Sequence, residues 1–264
     1  MNDFTGLIEE PPEALEAMMV GAGSLEGICC APETETRLAA VPEWMQHDNQ
    51  SGLNSCVGHG LTNALEKVVY MKTGVATQLS RLFAYKVAQK ATGIRGDSGA
   101  HLSGATKAAK QYGICREEVF PYGPYSKQLT QEAYKDAEDW KVTQHIKVPN
   151  YDAWRTGLGG NICGIMTASK WPIEISNGYA RRYLPRGNGG HCYAALFLAD
   201  TQDAQGRPDV WMFNSHRGNF TFRASSTFVE ELLGRNPNES VGFTDLTVIA
   251  PRPVDWLQDS PEYL

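Results

Sequence analysis

Cys56 follows a run of turn-forming residues, Asp48-Asn49-Gln50-Ser51-Gly52-Leu53-Asn54-Ser55, and opens the stretch CVGHGLTNALEKVVYMKTG. Within that stretch Val57, Leu61, Leu65, Val68 and Val69 keep helical spacing, and Gly74 supplies a stop, which predicts a helix beginning at the cysteine. A thiol in the first turn of a helix lies in the partial positive charge of unpaired N–H groups, which favours thiolate and makes the sulfur a better nucleophile. A cysteine taken alone is more often a buried core residue. Its chemistry therefore depends on what else the chain brings to it.

A base is available in His191, which follows Gly189-Gly190 and begins the apolar run HCYAALFLAD. The paired glycines let the chain enter close beside a cleft, and a neutral imidazole there can take a proton from Cys56 and return it to a leaving amine. Asn214 closes the next apolar run, VWMFNS, after a short connection through Gln205-Gly206 that lays its strand beside that of His191. Its amide oxygen can accept a hydrogen bond from the imidazole and fix the ring. Gln50 lies six residues before Cys56. A turn over that distance can bring its amide beside the backbone N–H of Cys56, giving two donors for an oxyanion, each worth on the order of 3 kcal/mol. Each of these three has an ordinary structural alternative: strand-end histidine, turn-forming asparagine, polar loop residue.

Taken together, the order Gln50, Cys56, His191, Asn214, with Asn214-Ser215 closing a strand, resembles the papain-like cysteine peptidases. The separations of 135 and 158 residues from Cys56 to His191 and Asn214 lie near the roughly 130 to 150 usual there. The run GDSGAHLSGATKAAKQYGI, from Gly96 to Ile114, resembles that family's glycine-containing substrate loop and the helix after it, and EEVFPY the segment that follows. The likeness covers roughly Pro42 to Ala250. It implies an α+β, two-lobed papain-like fold with an N-terminal helical lobe, a C-terminal antiparallel β lobe and the active site in the cleft between them. It also implies hydrolysis of peptide bonds through a thioester, with Gly99, Ala100 and Gly190 meeting the backbone of a peptide or protein substrate, and neither metal nor organic cofactor.

The sequence departs from that pattern in three places. Leu53 stands where secreted members carry a disulfide cysteine, and Val57 where an aromatic residue is usual, which together suggest a bacterial or phage type that is not secreted. His216-Arg217 replaces the Trp-Gly that normally follows Asn-Ser. Loss of the tryptophan that shields the Asn–His hydrogen bond would raise the local dielectric and loosen the imidazole. On this reading His216 is a solvent-facing turn residue and His59, one helical turn after Cys56, a helix-packing one. Two other functions stay open on the sequence: cleavage of peptidoglycan cross-bridges, and a catalytically weak scaffold acting in binding or assembly, for example in a virion.

The elements that must position these residues follow from the hydrophobic pattern. Two more helices are predicted, over Ser80 to Lys90 and Ser103 to Tyr112, and the acidic stretch Leu129 to Trp140 separates them from short apolar runs read as antiparallel strands. Residues 1–37, with Pro11 and Pro12 and little periodicity, read as an N-terminal arm holding one short helix around Glu13 to Met19. A domain over 38–250 follows, its helical lobe about 50–140 and its β lobe about 141–250, and then a tail over 251–264. Arm and tail are candidate surfaces for protein partners.

The bulk numbers narrow the classes. A chain of 264 residues with 42% apolar and 20% charged side chains suits a globular protein with a sizeable core. A net charge of −6 without a basic stripe speaks against nucleic acid as a partner. No apolar run is long enough to span a bilayer and the acidic start is unlike a signal peptide, so the expected location is cytoplasmic or virion-associated. The cysteines Cys29, Cys30, Cys56, Cys115, Cys163 and Cys192 form no CxxC pair and read as free thiols, with Cys192 a core residue and Cys29-Cys30 incidental. The tripeptide Arg95-Gly96-Asp97 reads as a plain turn.

Overall fold

The computed structural model describes residues 6–23, 25, 35–46, 48–184, 189–216, 220–235 and 239–247. Cys29, Cys30, Arg217 and the tail over 251–264 lie outside the described residues.

The helix expected at the cysteine runs as α2 over Cys56–Thr73, with Gly74 at φ 70° in the left-handed region as its C-cap. Every residue from Cys56 to Val69 is buried, so this helix is wrapped on all sides. Two glycines in its first turns permit that. A Cβ on Gly58 would stand 2.5 Å from the Arg81 carbonyl oxygen, and one on Gly60 would stand 2.6 Å from Cys192 Sγ. Each glycine costs about 1 kcal/mol of helix propensity relative to alanine, and close contact with neighbouring elements offsets it.

Around α2 stand α1 over Pro12–Met18, α3 over Arg81–Thr92, capped by the Ser80 hydroxyl accepting from Phe83 N–H, and α4 over Leu102–Gln111. The acidic connector carries α5 over Gln131–Ala137. The two helices read from periodicity are present, shifted by one or two residues.

The second half supplies strands, as expected. They are β1 (Arg37–Leu38), β2 (Val142–Lys147), β3 (Gly164–Trp171), β4 (Ile173–Ser176), β5 (Tyr179–Tyr183), β6 (Gly189–Gln202), β7 (Pro208–Phe213), β8 (Thr221–Ala224) and β9 (Ser240–Leu246). Among the described residues they make one sheet in the order β2-β9-β3-β6-β7-β8-β5-β4, with β1 beside β6. Pairing is antiparallel except for β1 with β6 and β5 with β8. Two helices in this half were not read from the sequence: α6 over Tyr151–Gly159, started by Asn150 accepting from Ala153 N–H, and α7 over Ser226–Arg235.

The core has two parts. One lies between α2, α3, α4 and one face of the sheet, and the other lies between the opposite face and α6 and α7. The segment before Leu38 belongs to the first: Leu7, Leu15, Met18 and Met19 are buried in it. Further along the same segment Gly23 pairs with Ile146 of β2. Residues 6–23 of the stretch read as an arm are therefore packed into the folded unit. No helix among the described residues is long and apolar enough to cross a membrane.

Candidate active site

The loop that delivers Cys56 is tied at both ends. Asp48 at its start meets the buried Arg81 guanidinium of α3, which also pairs with Glu66 of α2 at 3.1 Å. Near its end Asn54 N–H donates to Asp97 Oδ1 at 2.9 Å, and the Tyr85 hydroxyl donates to the same oxygen at 2.9 Å. Asp97 of the Arg-Gly-Asp turn is thus a brace between the cysteine loop and the loop carrying Gly99 and Ala100.

His191 and Asn214 meet across the β6–β7 hairpin, where His191 Nε2 lies 2.8 Å from Asn214 Oδ1. The backbone N–H of His216 donates to the same oxygen at 3.2 Å, which fixes the amide orientation. With an oxygen as acceptor, Nε2 carries the ring proton and Nδ1 holds the lone pair. Imidazole and amide are both buried.

Gln50 joins the same cluster. Its backbone N–H donates to Ser215 O at 3.0 Å, and its Oε1 accepts from Ser215 Oγ at 2.5 Å. One N–H of its amide donates to Leu53 O at 2.8 Å. The Tyr122 hydroxyl, from EEVFPY, donates to Gln50 O at 2.8 Å and lies 2.6 Å from Ser55 Oγ. Ser215 and Tyr122 were not singled out from the sequence. The Asn214-Ser215 dipeptide was the available signal for the first.

Two sequence expectations change. His216 is not a solvent-facing turn residue: its ring lies over His191, with centroids 4.6 Å apart and planes inclined by 41°. The cover expected to be lost with the tryptophan is supplied by another ring. Gly99, at φ +95°, spends its backbone internally, with N–H donating to the Tyr85 hydroxyl at 2.9 Å and C=O accepting from Gln89 at 2.7 Å. His59 and Cys192 are packing residues as read, both buried, with Cys192 facing α2.

Ala100 and Gly190 do meet an extended backbone, and it belongs to this chain. Ala100 N–H donates to Gly6 O at 3.0 Å, Ile8 N–H donates to Ala100 O at 3.0 Å, and Leu7 N–H donates to Gly190 O at 3.4 Å. Leu7 pairs parallel to Ala100 and antiparallel to Gly190, so residues 6–8 lie between the lobes as a bridging strand. Gly6 crosses Cys56: a Cβ there would stand 2.7 Å from Cys56 Sγ and 2.8 Å from Asn54 O. Beyond it, Glu10 Oε2 accepts from Ser103 N–H at 2.9 Å and anchors the segment to α4.

Covering the site sets its electrostatics. Burial pushes the Cys56 thiol up to about 12, against backbone hydrogen bonds from Cys192, Val57 and Cys56 itself. Burial holds His191 down to about 3, helped by the neighbouring His216 and opposed by the bond to Asn214. At neutral pH the covered pair is thus thiol and neutral imidazole. Among the described residues no group of three or more His, Cys, Asp or Glu side chains is placed to hold a metal ion.

No known family's sequence profile matches the chain, and no curated protein matches its sequence significantly. Solved structures do match. Xylellain, a cysteine protease from Xylella fastidiosa, aligns over 84% of this chain and 94% of its own at 19% identity and a TM-score of 0.61. Digestive procathepsin L 3 of Tenebrio molitor larval midgut aligns over 88% and 79% at 14% identity and a TM-score of 0.58. Bromelain from Ananas comosus, in complex with the E64 inhibitor, aligns over 81% and 95% at 15% identity and a TM-score of 0.53. The chain has the α+β papain-like fold, with helices in its N-terminal half and the antiparallel sheet in its C-terminal half.

Proposed function

We propose that this protein is a cysteine peptidase held latent by its own N-terminal segment. The observation that carries the reading is the oriented imidazole of His191, with Nε2–H engaged by Asn214, on the residue next to Cys192, whose backbone N–H bonds the Cys56 sulfur at the start of α2. In this reading Nδ1 of His191 takes the Cys56 proton as the sulfur attacks a peptide carbonyl carbon. The developing oxyanion accepts from the Cys56 backbone N–H and from the Gln50 amide N–H not used on Leu53. The imidazolium then gives its proton to the leaving amine, and water hydrolyses the thioester by the same steps in reverse roles. Ala100 and Gly190 would hold substrate backbone once residues 6–8 withdraw, and the surface at Ser169, Lys170 and Leu232, which Leu7 walls in the covered state, would receive a substrate side chain.

One observation favours a second reading. The cleft is filled by the chain itself, as a scaffold without turnover would allow.

Intact-mass analysis after treatment with E64 separates the two. The full chain should label slowly at Cys56, Leu7→Asp should label at least about tenfold faster by displacing the segment, and Cys56→Ala should not label. A Leu7→Asp chain that stays folded and never labels removes the peptidase reading.

A further inference from the structure

We propose that Arg223 and Arg181, gathered on the ring of Tyr179, form an anion-binding platform that takes the carboxylates of an acidic peptide segment. The site belongs to the β sheet and does not depend on the peptidase reading.

Strand register builds it. Trp211 of β7 is paired with Arg223 of β8, and Arg223 with Tyr179 of β5, so the three side chains stand in a row on one face of the sheet. Trp211 packs against the first part of the core, and its indole N–H donates to Leu38 O at 3.0 Å. At the other end of the row, the Arg223 backbone N–H donates to Gly178 O at 2.8 Å and ties β8 to the β4–β5 turn. The Arg223 guanidinium carbon lies 4.4 Å from the Tyr179 ring centroid and 5.2 Å from that of Trp211. Two anchored rings thus fix the guanidinium, which leaves little freedom to lose when a ligand binds. Arg181, two residues after Tyr179, brings a second guanidinium to 5.4 Å from the same ring centroid.

The charges of this row are unbalanced within the chain. Neither Arg181 nor Arg223 pairs with a carboxylate among the described residues, whereas the adjacent Arg182 is held by Glu174 at 2.8 Å. Arg223 Nε is buried without an acceptor, so the cation has given up hydration there without a hydrogen bond in return. Two positive charges on one ring also lie within about 10 Å of each other, the screening length at 0.1 M salt, and repel. On a chain of net charge −6 this corner therefore carries a local positive excess. Carboxylates relieve both costs, because a guanidinium presents a planar fork of donors that matches their geometry. Side chains on one side of an extended peptide repeat about every 7 Å, which lets successive acidic residues meet the two cations together.

The test is a titration of the full chain near neutral pH, in about 0.1 M salt, with a blocked tetraglutamate peptide. Binding is read from the arginine side-chain Nε–H signals in NMR spectra, those of Arg181 and Arg223 being assigned from Arg181→Lys and Arg223→Lys. Both signals should shift saturably with tetraglutamate and stay in place with tetraglutamine. Affinity should fall at least about fivefold in Arg223→Gln and in Arg181→Gln. Lys107→Gln, which removes the same charge from an exposed position on α4, should change it less than about twofold. Arg181 is exposed, so its variant keeps the test decisive if Arg223→Gln does not fold. No saturable shift, an equal response to tetraglutamine, or an equal loss in Lys107→Gln overturns the proposal. So does inorganic phosphate shifting the two signals where tetraglutamate does not, which would make this a site for a small anion.

Discussion

At the scale of single residues, Gln50 shows why sequence spacing reached the site but not its wiring. Its distance from Cys56 suggested an amide beside the thiol, and the amide does lie in the cluster. What spacing does not reveal is that Oε1 is claimed by Ser215 and one N–H by Leu53. Gln50→Ala should therefore have two effects: kcat on a fluorogenic peptide falling about 10²- to 10³-fold for the lost donor, and stability in urea falling by about 1–3 kcal/mol for the polar groups left unpaired. Asn214→Ala should cost a similar 1–3 kcal/mol, since it leaves the buried His191 Nε2–H without its acceptor. His216 was misread for a physical reason. A residue after a strand end is exposed by default, and only the return of β8 beside β7 shows which turn residues fold inward.

At the scale of elements, α2 was the most legible part of the chain, because helical spacing, a polar lead-in and a terminal glycine all agree on it. By helix propensity alone Gly58 and Gly60 are unfavourable in that pattern. Their role is a contact with elements about 25 and 130 residues away, which no local rule contains. Gly60→Ala would press a methyl against Cys192 Sγ and the Tyr193 carbonyl oxygen, and should lower stability by about 1–3 kcal/mol, visible as a drop in Tm. The bridging strand at residues 6–8 was illegible for a related reason. Gly6, Leu7 and Ile8 have no periodicity of their own and become a strand only because Ala100 and Gly190 offer backbone on both sides. Burying the Leu7 side chain contributes about 1.5–3 kcal/mol, on the order of a 10- to 100-fold bias toward the covered state. Leu7→Ala should accordingly raise the E64 labelling rate within that range, and an unchanged rate would mean that residues 6–8 do not control access.

At the scale of the whole molecule, the fold buries two imidazoles around one thiol, and this sets its response to acid. His59 and His191 are both held down to about 3 by burial, against an ordinary value of 6.5. The unfolded chain then binds protons that the folded chain refuses. Stability is fully present above about pH 6.5 and is lost as the pH falls toward 3, by about 2 kcal/mol per histidine at pH 5. Calorimetric scans should show Tm falling through this window, and His59→Gln should flatten the slope. A Tm that is constant between pH 7 and 5 would contradict the burial of these rings. The papain-like outline itself was readable from four residues and their order, whereas the closure of its cleft by the chain's own beginning was not.

The backbone bridge at Ala100 also has a use as a gauge. Its N–H is bonded to Gly6 O and to no element of its own lobe's sheet or helices. Deuterium can therefore reach this amide through withdrawal of residues 6–8, without global unfolding. Under conditions where reclosure outpaces exchange, its protection factor is the ratio of closed to open molecules. The occupancy of the cleft by residues 6–8 becomes a number measurable at one amide, with no substrate, inhibitor or active nucleophile required.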